Sequence, residues 1–137
     1  MILVDTNVLV AVANSRDNNH LAARDLLETS LDDLLVAPTV VAEVCYLLSE
    51  RAGPTTEVQF LRAFGARELH LVELTLDDVE RMAELAERYA DLGLGGTDAS
   101  VVAIAERLGI DTIATLDRRH FSVVRPRHVD AFTLLPR

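Results

Sequence analysis

A chain of 137 residues that is 50% hydrophobic is long enough to bury one packed core and far too apolar to be intrinsically disordered. Its net charge of −9 argues against a nucleic-acid binder held by a generally basic surface. All 13 basic residues are arginine, so the lysine-dependent phosphate loop Gly-Lys-Ser/Thr is excluded, and the single Cys45 excludes an internal disulfide.

In chain order, Ile2-Leu3-Val4 reads as a short strand, continuously apolar as parallel strands covered on both faces are, with Asp5 just past its end. A helix follows, starting near Asn7, and after a polar break at 14–19 a second helix spans about 20–28 with Leu21, Ala22 and Leu26 on one face. Residues 34–36 form a second strand candidate. Pro38-Thr39 is a helix-start signal, with Thr39 as N-cap of the helix that carries Glu43. Gly53-Pro54-Thr55-Thr56 ends that helix and caps the next, about 56–65, with Val58, Phe60, Leu61 and Phe64 as core candidates. Residues 69–74 read as a third strand. Thr75 and Asp78 form a capping box for a helix to about Tyr89, whose inner face holds Val79, Met82, Ala83, Leu85 and Ala86. The turn 93–97 leads into a helix from Asp98 to Leu108 that stops at Gly109. Residues 113–116 and 132–135 are the fourth and fifth strands. Thr6, Asn7 and Thr97 are each accounted for as helix caps, and Cys45 as a structural thiol on an apolar helix position.

Strands alternating with helices imply right-handed βαβ units. The expected fold is a single α/β domain over residues 1–137, three layers thick, with a mostly parallel sheet of about five strands. No apolar run is long enough to cross a bilayer, and the opening run has neither a basic flank nor a cleavage site, so no signal peptide and a cytoplasmic location are expected.

Four acids stand at the edges of apolar elements: Asp5 and Asp117 after strands, Asp98 at a helix start, and Glu43 within the stretch 40–48. Singly, the aspartates are explained as turn or helix-start residues. Glu43 is harder to explain that way, because a carboxylate among apolar neighbours must be paired, bound to metal or turned to water. Open α/β sheets bind ligands beyond the carboxyl ends of their strands, where all four can converge. An all-oxygen set with no His or Cys ligand spacing favours Mg²⁺ or Mn²⁺ over Zn²⁺. Directly after Asp117, Arg118, Arg119, His120, Arg125, Arg127 and His128 form an acid-free basic run, either a cationic rim for a polyanion or a solvated charge run.

Taken together, Val4-Asp5-Thr6-Asn7-Val8-Leu9, Glu43 in its helix, Gly96-Thr97-Asp98-Ala99 and Thr115-Leu116-Asp117-Arg118-Arg119-His120-Phe121 resemble the motif series of PIN-domain nucleases. The set is in the family's order, spans the whole chain, and is most similar to VapC-type toxins of toxin-antitoxin pairs. That resemblance implies a Mg²⁺- or Mn²⁺-dependent endoribonuclease acting on tRNA or rRNA. Asp5 and Asp98 would be its main metal ligands, Glu43 and Asp117 would complete the acidic pocket, and Asn7 and Thr97 would support them. It also implies a homodimer and an antitoxin partner that inhibits it. The competing readings are a non-catalytic PIN-like binding module, which an intact acid set disfavours, and a structure-specific DNA nuclease, for which no inserted arch is present. A small-molecule phosphohydrolase is disfavoured by the missing lysine.

Overall fold

Short apolar triplets make the strands. The computed structural model describes residues 1–137 and joins β1 (Ile2–Val4), β2 (Leu34–Val36), β3 (His70–Leu71), β4 (Thr112–Ala114) and β5 (Thr133–Leu135) into one sheet. Its order is β3-β2-β1-β4-β5 and every neighbouring pair is parallel. The helices are α1 (Thr6–Ala13), α2 (His20–Thr29), α3 (Pro38–Arg51), α4 (Pro54–Gly65), α5 (Leu76–Arg88), α6 (Gly96–Leu108) and α7 (Arg118–Val123). With right-handed crossovers, the leftward steps β1 to β2 to β3 put α1–α4 on one face. The return to β4 and β5 puts α5–α7 on the other. The α/β class and the five-stranded parallel sheet expected from the sequence are what the chain adopts.

The core is one cluster of 30 buried residues, centred on Leu3, Val4, Val36 and Ile113 of the three inner strands. Residues 99–105 of α6 are buried without interruption, as in a helix enclosed on all sides rather than laid on a surface. Gly109, with φ of 68°, ends α6 in the left-handed conformation that glycine adopts without strain.

Several boundaries differ from expectation, each for a local reason. Thr39 is not an N-cap: Ala37 holds that place, Pro38 is the first helical residue, and the Thr39 hydroxyl instead meets Ser100 on α6. Nor are Thr6 and Thr97 caps, since both lie inside helices whose capping residues are Asp5 and Gly95. α4 begins at Pro54, two residues early, because proline fits the first turn where no N–H is needed. β3 is two residues, not six, and only the Val72 N–H extends its pairing, to Val36 O. β4 stops at Ala114, and the unexpected α7 follows with Asp117 as its N-cap. Leu21, Val58, Leu61 and Val79 are exposed; Ala23, Phe60 and Leu85 take the inner positions on their helices. The capping box at Thr75 and Asp78 forms as expected, with both reciprocal hydrogen bonds, 3.1 and 3.0 Å.

Because α6 presents its apolar faces in every direction, truncating it leaves a cavity that cannot collapse. Ile104→Ala should lower unfolding stability by about 2–5 kcal/mol, measured as a shifted urea midpoint. A midpoint within error of the parent chain would mean that α6 is not held by its packing.

Candidate active site at the switch point of the sheet

Strand order reverses between β1 and β4, and parallel strands that diverge there leave a crevice at their carboxyl ends. Val4 pairs with Ala114, so the next residues, Asp5 and Thr115, emerge side by side. Asp5 is 5% exposed, and each carboxylate oxygen accepts one local hydrogen bond, Thr6 N–H at 2.8 Å on Oδ1 and the Thr115 hydroxyl at 2.8 Å on Oδ2, which leaves a lone pair on each. Thr115, itself buried, accepts from the Asp117 N–H at 3.1 Å. Asn7 completes this knot by accepting from the Leu116 N–H at 2.9 Å. One threonine therefore couples the first acid to the last.

The other acids converge from separate elements. Asp98 lies in the first turn of α6, half-buried, and accepts from His120 Nδ1 of α7 at 2.7 Å. His120 also stands 3.8 Å from Asp117 Oδ2. Asp117 caps α7, taking the Arg119 N–H at 3.0 Å. Glu43 resolves its sequence paradox by turning outward: it is exposed on α3 and makes no hydrogen bond. Asp5, Glu43, Asp98 and Asp117 all line one open cleft of about 390 Å³, with Thr6, Asn7, Asp17, Asn19 and Arg51. A larger cavity of about 590 Å³ between α1, α2 and α4 is mainly apolar and contains none of the four acids, so size does not identify the chemical site here.

Electrostatics mark the same place. Burial pushes Asp5 up to about 6; its two hydrogen bonds resist, while the charges of Asp98 and Glu43 add to the rise. Asp98 is raised as well, by burial first, with His120 opposing and the charges of Asp117 and Glu43 reinforcing. Crowded carboxylates with raised pKa values are a site waiting for positive charge. Thr6 Oγ1, of a residue that lines this cleft, is buried without a hydrogen-bond partner. No three His, Cys, Asp or Glu side chains are grouped so as to enclose an ion by themselves. The acids lining the cleft are all carboxylates, a donor set that fits a hard, oxygen-seeking cation and lacks the nitrogen and sulfur donors of a closed zinc site.

The sequence reading thus named all four acids and Asn7. Thr97 is not among the residues lining the cleft; only its carbonyl is engaged, by Ser100. Thr115 and His120 were missed as site residues. Thr115 had a signal, a hydroxyl inside an apolar strand run two residues before Asp117. His120 reads from the sequence as a member of the basic run and has no ligand spacing with another histidine, whereas its partner is an aspartate 22 positions away. Much of the basic run is engaged within the fold, Arg118 and Arg125 donating to backbone carbonyls, Arg127 to Glu84 and His128 meeting Ile110 O, while the Arg119 guanidinium has no partner.

The family model described as PIN domain matches residues 2–125. The chain belongs to the PIN-domain family. Within it the chain is of the VapC type, being 36% identical over 135 residues to Ribonuclease VapC26 of Mycobacterium tuberculosis, an alignment covering 98% of this chain and 100% of that relative. Solved structures agree on the fold. VapC20 of Mycobacterium tuberculosis, described as a sarcin-ricin-loop-cleaving toxin, superposes with TM-score 0.78 at 24% identity, over 82% of this chain and 87% of its own. VapBC2 of Rickettsia felis, solved on a promoter DNA fragment, gives 0.68 at 20% identity, over 98% and 97%. FitAcB of Neisseria gonorrhoeae gives 0.59 at 19% identity, over 88% and 91%.

For this PIN domain the raised Asp5 has a thermodynamic consequence. Its folded value of about 6 exceeds the ordinary 3.8, so its contribution to stability is fully present below pH 3.8 and is lost as pH rises towards 6. The shift amounts to on the order of 3 kcal/mol. In EDTA, Asp5→Asn should therefore gain stability relative to the parent as pH rises across that window. A difference between the two proteins that stays flat from pH 4 to 7 in chemical denaturation (about the range that brackets the shift) would refute the burial argument.

Proposed function

We propose that this PIN domain is a Mg²⁺- or Mn²⁺-dependent endoribonuclease, with tRNA or rRNA as its substrate class, and that it is the cytoplasmic, homodimeric toxin of a pair silenced by a cognate antitoxin. The observation that carries the reading is the convergence of Asp5, Glu43, Asp98 and Asp117 on one open cleft, with Asp5 pushed up to about 6. The 36% identity to a named ribonuclease supports the activity, and the fold likeness to VapBC2 supports the pairing. An intact acid set weighs against a purely binding module.

Asp5 and Asp98 are the acids best placed to hold the ion, since each is aimed by a short hydrogen bond, from Thr115 and from His120. A divalent cation bound there supplies a lowered pKa for attacking water and neutralises the phosphate oxygens. Glu43, exposed and without a hydrogen bond, is free to accept a proton from water at its carboxylate. Asp117, its Oδ1 fixed by the Arg119 N–H, orients water from the opposite wall. His120 holds Asp98 rather than touching substrate. The acidic cleft is equally suited to a basic residue offered by an antitoxin segment.

Two measurements test this. Antitoxin-free protein incubated with total bacterial RNA should produce discrete new 5′ ends in Mg²⁺ or Mn²⁺ and none in EDTA. Asp98→Asn should slow cleavage by at least about 100-fold, more than loss of an outer-shell partner. RNA left intact under every condition, or cut equally by Asp98→Asn, would sink the reading. Separately, Mg²⁺ at about 100 times its Kd should stabilise the fold by about 2.7 kcal/mol, seen as a thermal shift that Asp98→Asn reduces. No shift in the parent protein would remove the cation from the proposal.

A further inference from the structure

An acidic cleft repels the polyanion it is meant to cut, and one cation answers only the phosphate at the point of cleavage. Flanking phosphates need fixed positive charge nearby. The basic run after Asp117 does not meet that need, because most of its groups are bound within the fold and none of its arginines lines the cleft. Elsewhere, Arg24, Arg81 and Arg107 are paired with carboxylates.

Among the arginines left without a partner, Arg16 and Arg51 share a cavity. It measures about 310 Å³ and lies where the end of α1 meets the junction of α3 and α4. Asn14, Ser15 and Thr56 line it with them, and no carboxylate does. Arg51, the last residue of α3, lines this cavity and the acidic cleft alike, so the two are contiguous through one guanidinium. The Arg16 loop is already shaped: its backbone N–H donates to Asn14 Oδ1 at 3.2 Å. Two unpaired guanidiniums keep all their donors for the bidentate geometry that phosphate oxygens accept. In a chain of charge −9 this pocket, beside the cleft of the four carboxylates, is lined by two arginines and no acid.

We propose that this cavity is a phosphate subsite for the RNA strand, with Arg51 and Arg16 holding backbone phosphates that flank the scissile one. The inference rests on the nuclease reading and gives that site its substrate track. It predicts a binding role: the contacts are to phosphate, carry no base preference, and lie outside the catalytic acids.

The test uses a fluorescein-labelled RNA oligonucleotide spanning the mapped cut. Its affinity is measured by anisotropy in EDTA, where cleavage is off, for the parent chain, Arg16→Gln, Arg51→Gln, the double variant and Arg62→Gln, an exposed arginine of α4 outside both cavities. The double variant should bind about tenfold more weakly at low salt, and the slope of log affinity against log salt should fall by about 0.7 per arginine removed. With Mg²⁺ present, its KM should rise and its kcat stay near the parent value, and Arg62→Gln should match the parent in every readout. A parent that cleaves, beside a double variant with unchanged affinity and slope, overturns the subsite and leaves the nuclease reading standing. The same holds if kcat alone falls. A parent that makes no cut overturns the nuclease reading, and the subsite with it.

Discussion

The hydrogen bond from Thr115 to Asp5 is the constraint on which the site depends. It exists because β1 and β4 are neighbours and end in register, so two residues 110 positions apart leave the sheet together. It holds a carboxylate that burial has made reluctant to ionise, and through the Asp117 N–H the same hydroxyl fixes the entry to α7. From α7, His120 reaches back to Asp98. Three of the four acids are thereby tied into one hydrogen-bonded chain that starts at the switch point of the sheet. Glu43 stays outside this chain. Its helix is hydrogen-bonded to α6 through Thr39 and Ser100, and its own carboxylate is exposed.

Such an arrangement is poorly suited to stability taken by itself. A carboxylate that is nine-tenths or more buried, beside two other negative groups, opposes folding above its own pKa. The surrounding packing offsets this. Leu3, Val4, Val8 and Ile113 are essentially inaccessible, and α6 is enclosed along its middle. A cation entering the cleft relieves the repulsion directly, so occupancy and stability are linked through the same atoms.

Much of this was legible in the sequence because the informative signals are local. Apolar triplets followed by an acid mark strand ends, and the glycines at 53, 93 and 109 mark real breaks. Glu43 stood out without coordinates because it violates an apolar context, whereas Asp5, Asp98 and Asp117 stood out only as a set at the edges of apolar elements. What could not be read depends on contacts distant in sequence. Nothing near Thr39 says that its hydroxyl will prefer Ser100, 61 residues on, to its own helix end. Nothing near Arg118 says that its guanidinium will donate to the Pro136 carbonyl. α7 escapes the sequence for a different reason: its six residues give too short a window for helical periodicity, and its capping aspartate reads equally well as a plain turn residue after a strand.

The distribution of arginine explains why the basic run failed as a rim while Asp98 is so well fixed. Arg81 grips Glu106 on α6 through two hydrogen bonds, 2.8 and 3.0 Å. Arg127 adds its N–H to the same carboxylate and its guanidinium to Glu84. Burial pushes Glu106 up, but these donors more than reverse it and hold it below the ordinary range. Arg107 meanwhile locks the capping-box Asp78 and the Glu73 carbonyl. Arg81, Arg107 and Arg127 thus staple α5, α6 and the segment after α7 to one another, and of the basic run only Arg127 takes part. Clamped there at its C-terminal half and held by Ser100 near its start, α6 cannot rotate to withdraw Asp98. The guanidiniums of Arg81, Arg107 and Arg127 are thereby committed to carboxylates, whereas those of Arg16 and Arg51, beside the acidic cleft, keep their donors free.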